Sequence, residues 1–156
     1  FTYIFNSEEQ YLGNMNGNLI LEIDNLKNSL INKGNIELSI KEKEIKLNNS
    51  LFEISNFGKM ESNFRYYENL GNLIFASENI FEITNKKDFS RKFQLNFKKI
   101  ENINKIYFDL EKNIDNGEVT ISNVRLNKTD AVKFSKEFFT ISNIQVLKSV
   151  LRNILS

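Results

Sequence analysis

The chain contains no histidine and no cysteine. Those absences remove the commonest general base, the thiol nucleophile, disulfides and the usual metal-ligand sets. Proline is also missing and glycine occurs only six times, so the chain has little linker character. A net charge of +1 supplies no global field to attract nucleic acid or an acidic partner. No apolar run reaches the eighteen or so residues that a spanning helix needs, and no signal peptide is visible. The first residue is Phe1 rather than methionine, inside an apolar run with Tyr3 and Phe5. That start reads as a strand entered midway, so the protein is expected to extend upstream.

The 156 residues are instead rich in asparagine, lysine and isoleucine, the bias of an AT-rich coding sequence. Abundant asparagine therefore points to no site. The length suits one domain or part of a larger one. What organises the chain is period-two alternation, the mark of half-buried strands. It predicts strands over 18–24 (Leu19, Leu21, Ile23 on one face) and over 51–55. Strands are also predicted over 59–67 (Met60, Ser62, Phe64, Tyr66), 73–76, 80–84 and 91–98 (Phe93, Leu95, Phe97). Residues 35–48 form a hairpin turning at 41–44, and 26–33 fits a helical turn ended by Gly34. Strands spaced roughly 8–12 residues apart imply an antiparallel meander, a sandwich or an open curved sheet.

Residues 105–126 are the clearest hairpin. Ile106, Phe108 and Leu110 alternate with polar neighbours, and Asn116-Gly117 suits a type I′ turn. That turn sets Ile114 opposite Val119 and Lys112 opposite Ile121. Continuing in register would oppose core and polar residues, so one extra residue is expected at Ser122-Asn123, pairing Leu110 with Val124 and Phe108 with Leu126. At the other end, Ser142 and Gln145 form a capping box. Ile144, Leu147, Val150, Leu151, Ile154 and Leu155 then share one helical face.

Chemistry is harder to find. Asp109, Glu111, Asp115 and Glu118 cluster in sequence, but the first two belong to the polar face of the hairpin and Asp115 to its turn. The stretch 86–99 interleaves Lys86, Lys87, Arg91, Lys92, Lys98 and Lys99 with Phe89, Phe93 and Phe97, superficially a nucleic-acid pattern. Its alternating phenylalanines read better as a buried face behind a solvated edge. No phosphate cradle, nucleophile elbow or metal motif appears. The expectation is a protein that is not an enzyme, with no cofactor, no metal and no nucleic-acid partner.

The run Ile-Tyr-Phe-Asp-Leu-Glu-Lys-Asn-Ile-Asp-Asn-Gly over 106–117, flowing into Val-Thr-Ile-Ser-Asn-Val over 119–124, resembles the C-terminal region of AsmA-like proteins from AT-rich alphaproteobacteria. The run Phe-Arg-Tyr-Tyr-Glu-Asn-Leu-Gly-Asn-Leu over 64–73 and the closing 144–155 segment are similar to it as well. The resemblance implies an envelope protein of the AsmA and TamB type, anchored in the inner membrane and reaching into the periplasm. Its long, curved, mostly antiparallel sheet would carry phospholipid acyl chains along an apolar groove, for phospholipid transport or outer-membrane assembly. The groove lining expected here is Phe64, Phe93, Leu95, Phe97, Ile106, Phe108, Leu110, Val119 and Ile121.

The expected fold is therefore mainly β: an antiparallel, curved open sheet forming a groove, with a C-terminal amphipathic helix. A β-sandwich is the alternative. Residues 1–141 would form the sheet region, truncated at its N-terminus, and 142–156 the capping helix of the same domain. The competing function is a structural or adhesive β-domain of a surface protein with a filled core.

Overall fold

Eight antiparallel strands follow one another across a single open sheet, each pairing with its neighbours in sequence. The computed structural model describes residues 16–24, 30–41, 44–127, 138–139, 148–149, 151–152 and 155. The strands are β1 Gly17–Asp24, β2 Ile31–Lys41, β3 Glu44–Ile54, β4 Gly58–Asn69, β5 Asn72–Ile83, β6 Lys105–Asn113, β7 Val119–Leu126 and β8 Phe138–Phe139. Two helices, α1 Lys86–Phe93 and α2 Phe97–Ile100, lie between β5 and β6. The mainly β, open antiparallel sheet expected from the alternation is what the chain forms, and its described strands make one sheet rather than a sandwich. The predicted Phe1–Tyr3–Phe5 strand, the centre of the 41–44 turn and the Ser142–Gln145 capping box lie outside the described residues. Of the 26–33 turn, the end belongs to β2, and Gly34 sits inside that strand rather than ending a helix.

Extra residues interrupt the register of this sheet at three places. Leu47 pairs with Leu38 on one side and Phe64 on the other, whereas Ser50 pairs with Ser62 and Leu51 with Asn35. One residue at 48–49 is thus surplus to both neighbours, and it lets Leu47 and Ser50 share a face. The separate strands expected at 35–48 and 51–55 are for this reason one hairpin with a bulged second arm. A second surplus residue, Asn32, falls between Ile31 and Lys33. The third is at Asn123, in the left-handed region at φ 52, with its amide donating to Asp109 at 2.5 Å. Bulges bend and twist the strand that carries them, which is how an open sheet acquires curvature.

The hairpin of β6 and β7 keeps the expected bulge but not the expected register. Asn113 N–H donates to Glu118 O at 2.8 Å and Gly117 N–H to Asn113 O at 2.9 Å, closing a four-residue loop. Of Asn116-Gly117 only the glycine has positive φ, so the turn is not type I′. Leu110 therefore faces Ile121, and Ile106 faces Leu126. An even slip leaves every side chain on its original face, so the apolar assignments survive. The type I′ geometry appears instead between β4 and β5, where Leu70 (φ 50) and Gly71 (φ 77) both lie at positive φ. Leu70 is 95% exposed and gains nothing from that strain. Leu70→Asn is expected to raise stability by about 0.5–1 kcal/mol in urea unfolding, because asparagine tolerates the left-handed region.

One face of the sheet is apolar and the other carries a charge ladder. Following the register across six strands gives Asp24, Lys33, Glu53, Lys59, Glu82 and Lys105, alternating in sign at every step. Opposite charges directly across a ladder favour that pairing. Slipping β4 by two residues would preserve its faces but set Glu53 against Glu61, so the ladder penalises the slips that burial alone tolerates.

The stretch 91–98 is not a strand. Asn85 caps α1, accepting from the Asp88 N–H at 3.1 Å while its amide donates back to the Asp88 carboxylate at 3.0 Å. Gln94 then turns left-handed and the Leu95 N–H reaches the Ser90 carbonyl at 2.9 Å, a Schellman-type close. Phe89 and Phe93, four apart, both point to the sheet. Their rings, 5.0 Å apart, meet Phe57 at 5.8 and 5.6 Å. Lys148, Ser149, Leu151, Arg152 and Leu155 are helical, and the rest of the predicted 142–156 helix lies outside the described residues. Leu155 joins the core, and Arg152 donates to Gln94 Oε1 at 2.5 Å, tying this segment to the end of α1.

A candidate apolar-ligand site under the first helix

A buried polar row crosses the apolar face. Ser50, Ser62 and Asn79 face one another across β3, β4 and β5, and all are 6% exposed or less. Ser62 donates to Asn79 Oδ1 at 2.7 Å, and the Asn79 amide donates to the Ser77 hydroxyl at 2.9 Å and the Phe108 carbonyl at 3.3 Å. No buried side-chain polar atom among the described residues is left without a partner. Burying such a row costs little when every group is paired. On one side Phe64 stacks on Phe75 at 5.2 Å, with Tyr66 tilted over the same ring. Burial raises the Tyr66 phenol above its ordinary pKa and keeps it protonated.

On the other side, α1 roofs the sheet without filling the space beneath. A cavity of about 200 Å³ remains between them. Its floor is Met60 of β4, Phe81 of β5, Ile106 and Phe108 of β6, and Ile121 and Val124 of β7. Phe89 and Phe93 form the roof, Ile54 and the loop residue Phe57 one wall, and Leu30 and Leu151 the rim. Every lining side chain is apolar. A dry apolar cavity of about 150 Å³ is known to hold a benzene-sized guest. By that scale this one takes roughly six to eight carbons, less than a full acyl chain.

Four of the nine residues expected to line a groove meet here: Phe93, Ile106, Phe108 and Ile121. Phe93 does so from a helix rather than a strand. Phe64 and Leu95 pack against the same core outside the cavity. Leu110 faces Ile121 across the hairpin, and Val119 is buried near its turn. Phe97 is 38% exposed at the start of α2. Sequence reasoning missed Phe89, Phe57 and Met60. The spacing of Phe89 to Phe93 was a usable helical signal, but nothing local marks Phe57, buried to 2% exposure from a turn.

The hairpin carboxylates hold structural bonds. Asp109 accepts from Asn123, Glu111 from Tyr67 at 2.9 Å, Asp115 from the Leu73 N–H at 2.9 Å and Glu118 from Asn116 at 3.0 Å. Desolvation, with the Glu111 bond and charge added, keeps the Tyr67 phenol raised and protonated. A larger hollow of about 610 Å³ opens on the laddered face, lined by Asp24, Lys33, Glu53, Lys59, Glu82 and Lys105 among others. Glu22 and Glu61 line it as well, so carboxylates outnumber lysines in its wall. Among the described residues no acidic cluster has the make-up of a metal site, and no helix is long and apolar enough to cross a membrane. No protein-family model, curated protein or solved structure matches the chain.

Proposed function

We propose that this chain is a non-enzymatic segment of a cell-envelope protein of the AsmA type, which shelters the end of one lipid acyl chain. The observation that supports this reading is the cavity under α1, walled only by apolar side chains. An open sheet with one apolar face is the scaffold such a role needs, and lipid-transport proteins leave part of that face for their cargo. On this reading the protein works in the periplasm, anchored to the inner membrane in its full-length form, with phospholipid as its partner. The cavity size narrows the proposal. A chain end fits, and the remainder of the lipid lies outside.

The test is native mass spectrometry of the protein purified without detergent, followed by organic extraction. A lipid-mass adduct is expected on the parent chain. Val124→Phe, which fills the cavity from β7, is expected to cut its occupancy at least severalfold, while Leu70→Asn leaves it unchanged. A parent chain with no adduct, and none regained after incubation with phospholipid, sinks the reading. One observation favours a structural domain instead: Phe57, Phe89 and Ile100 are already fully covered by protein. In that case Val124→Phe changes only stability.

A further inference from the structure

The helical excursion between β5 and β6 carries charge that the sheet does not. From Lys86 to Lys99 there are six basic residues and one acidic residue, Asp88, within a chain of net charge +1. Folding concentrates them. Phe89 and Phe93 turn inward, so Lys87 and Arg91 point directly away from the sheet, with Lys92 beside them. Lys98 and Lys99 are exposed on α2, in the turn headed by the exposed ring of Phe97. Asp88 pairs with Arg91 and accepts from the Asn56 amide, which cancels one of the six positive charges and leaves the stretch strongly basic.

We propose that this α1–α2 cap is a docking surface for an anionic lipid bilayer. Clusters of four to eight basic residues on an amphipathic helix are attracted to anionic headgroups, each adding a modest increment that salt screens. Lysine stems lie along the interface with their ammonium groups in the headgroup layer, and an apolar ring among them inserts below it. Phe97 is placed to be that ring. A nucleic-acid surface would instead present several ring faces for stacking. Here the other two rings of the stretch are 1% and 3% exposed and unavailable to bases. Docking by the cap would also bring the roof of the apolar cavity to the membrane. That consequence rests on the acyl-chain reading, whereas the docking itself does not.

Sedimentation of the whole chain with vesicles tests the proposal. Binding is expected to phosphatidylcholine vesicles containing phosphatidylglycerol, to fall steeply with salt, and to be absent with phosphatidylcholine alone. Lys87→Glu with Lys98→Glu is expected to weaken it at least about tenfold, and Phe97→Ser severalfold. Lys112→Glu, on the hairpin, should leave it unchanged. Circular dichroism checks that each variant folds, and Lys87→Gln with Lys98→Gln gives a milder pair of the same sign. No binding to anionic vesicles overturns the proposal, as does equal binding to neutral ones or equal loss with Lys112→Glu. Tighter capture of a single-stranded oligonucleotide through the same lysines overturns it in favour of nucleic acid. Adducts in native mass spectrometry report on the cavity and sedimentation on the cap, so either reading fails without the other.

Discussion

Phe89→Ala is expected to cost about 3–5 kcal/mol of unfolding free energy, whereas Phe97→Ala should stay within about 0.5 kcal/mol. Phe89 is 1% exposed, with ring centroids of Phe57, Phe81 and Phe93 at 5.8, 5.6 and 5.0 Å. Truncation removes the edge-on and tilted contacts of three rings and merges the vacated space with a cavity that already exists. The surroundings cannot collapse to fill it, because the sheet below is hydrogen-bonded and the roof is a capped helix. Phe97 is 38% exposed and outside this cluster. Urea unfolding of both variants measures the difference. Equal costs would mean that 89–97 packs as an alternating strand, with Phe93 and Phe97 on one face. The helix places Phe89 and Phe93 together instead.

That contrast also marks where sequence reading succeeds and where it stops. Period two and period four coincide at Phe89, Phe93 and Phe97, so alternation alone cannot separate strand from helix in this stretch. The deciding signals are local and weaker: Asn85 three residues before Asp88, and the basic residues gathered towards the end of the turn. Along β4 and β6 no such ambiguity exists, and the faces predicted for Met60, Phe64, Ile106 and Phe108 are the faces observed. The bulge at Asn123 was legible because the apolar phase changes there. The same change at Asn48-Asn49, from Leu47 to Phe52 and Ile54, carried the same information and reads more naturally as a strand break. Register was not legible from the turn, since Asn-Gly fits two loop lengths. The ladder of opposite charges favours the register from β1 to β6, but it ends at Lys105 and does not reach β7. The cavity itself has no local signature at all. It arises because Phe57 from one turn and Phe89 from a helix brace each other above the sheet.

The polar row interrupts the apolar face without leaving a buried side-chain polar atom unpaired among the described residues. Ser50, Ser62 and Asn79 place paired polar groups on an otherwise apolar face, and the edge-on contact of Phe52 with Phe64 passes over the row. Ser50, Ser62 and Asn79 are not among the residues that line the cavity under α1. Bringing a polar group against Phe81, Phe108 and Val124 would carry a desolvation cost.

Gly58→Val is expected to cost about 3 kcal/mol or more, and part of that cost should disappear when Phe81 is shortened. A Cβ at Gly58 would lie 2.3 Å from Phe81 Cζ and 2.6 Å from Cε2, with the Glu82 carbonyl oxygen at 3.1 Å. The carbonyl belongs to the β4–β5 ladder and cannot withdraw. The ring is flanked by Phe57 at 6.5 Å and Phe89 at 5.6 Å, so its open direction is into the cavity it lines. Overpacking of this kind typically costs about 1–3 kcal/mol, more when a β-branched side chain is forced against backbone. Phe81→Leu removes the ring atoms that a Cβ would strike. The double variant is then expected to be more stable than the sum of the single costs predicts, by about 1–2 kcal/mol. Urea unfolding of the four proteins in the cycle gives that coupling. Native mass spectrometry of Gly58→Val supplies the second readout, because a ring driven into the cavity excludes its guest. A cost under about 1 kcal/mol with the adduct intact would mean that Phe81 does not lie over Gly58 and that the cavity has a different floor. Glycine at this position is therefore a condition for the site: with no side chain on β4, the Phe81 ring can lie flat along the sheet and leave space under the helix.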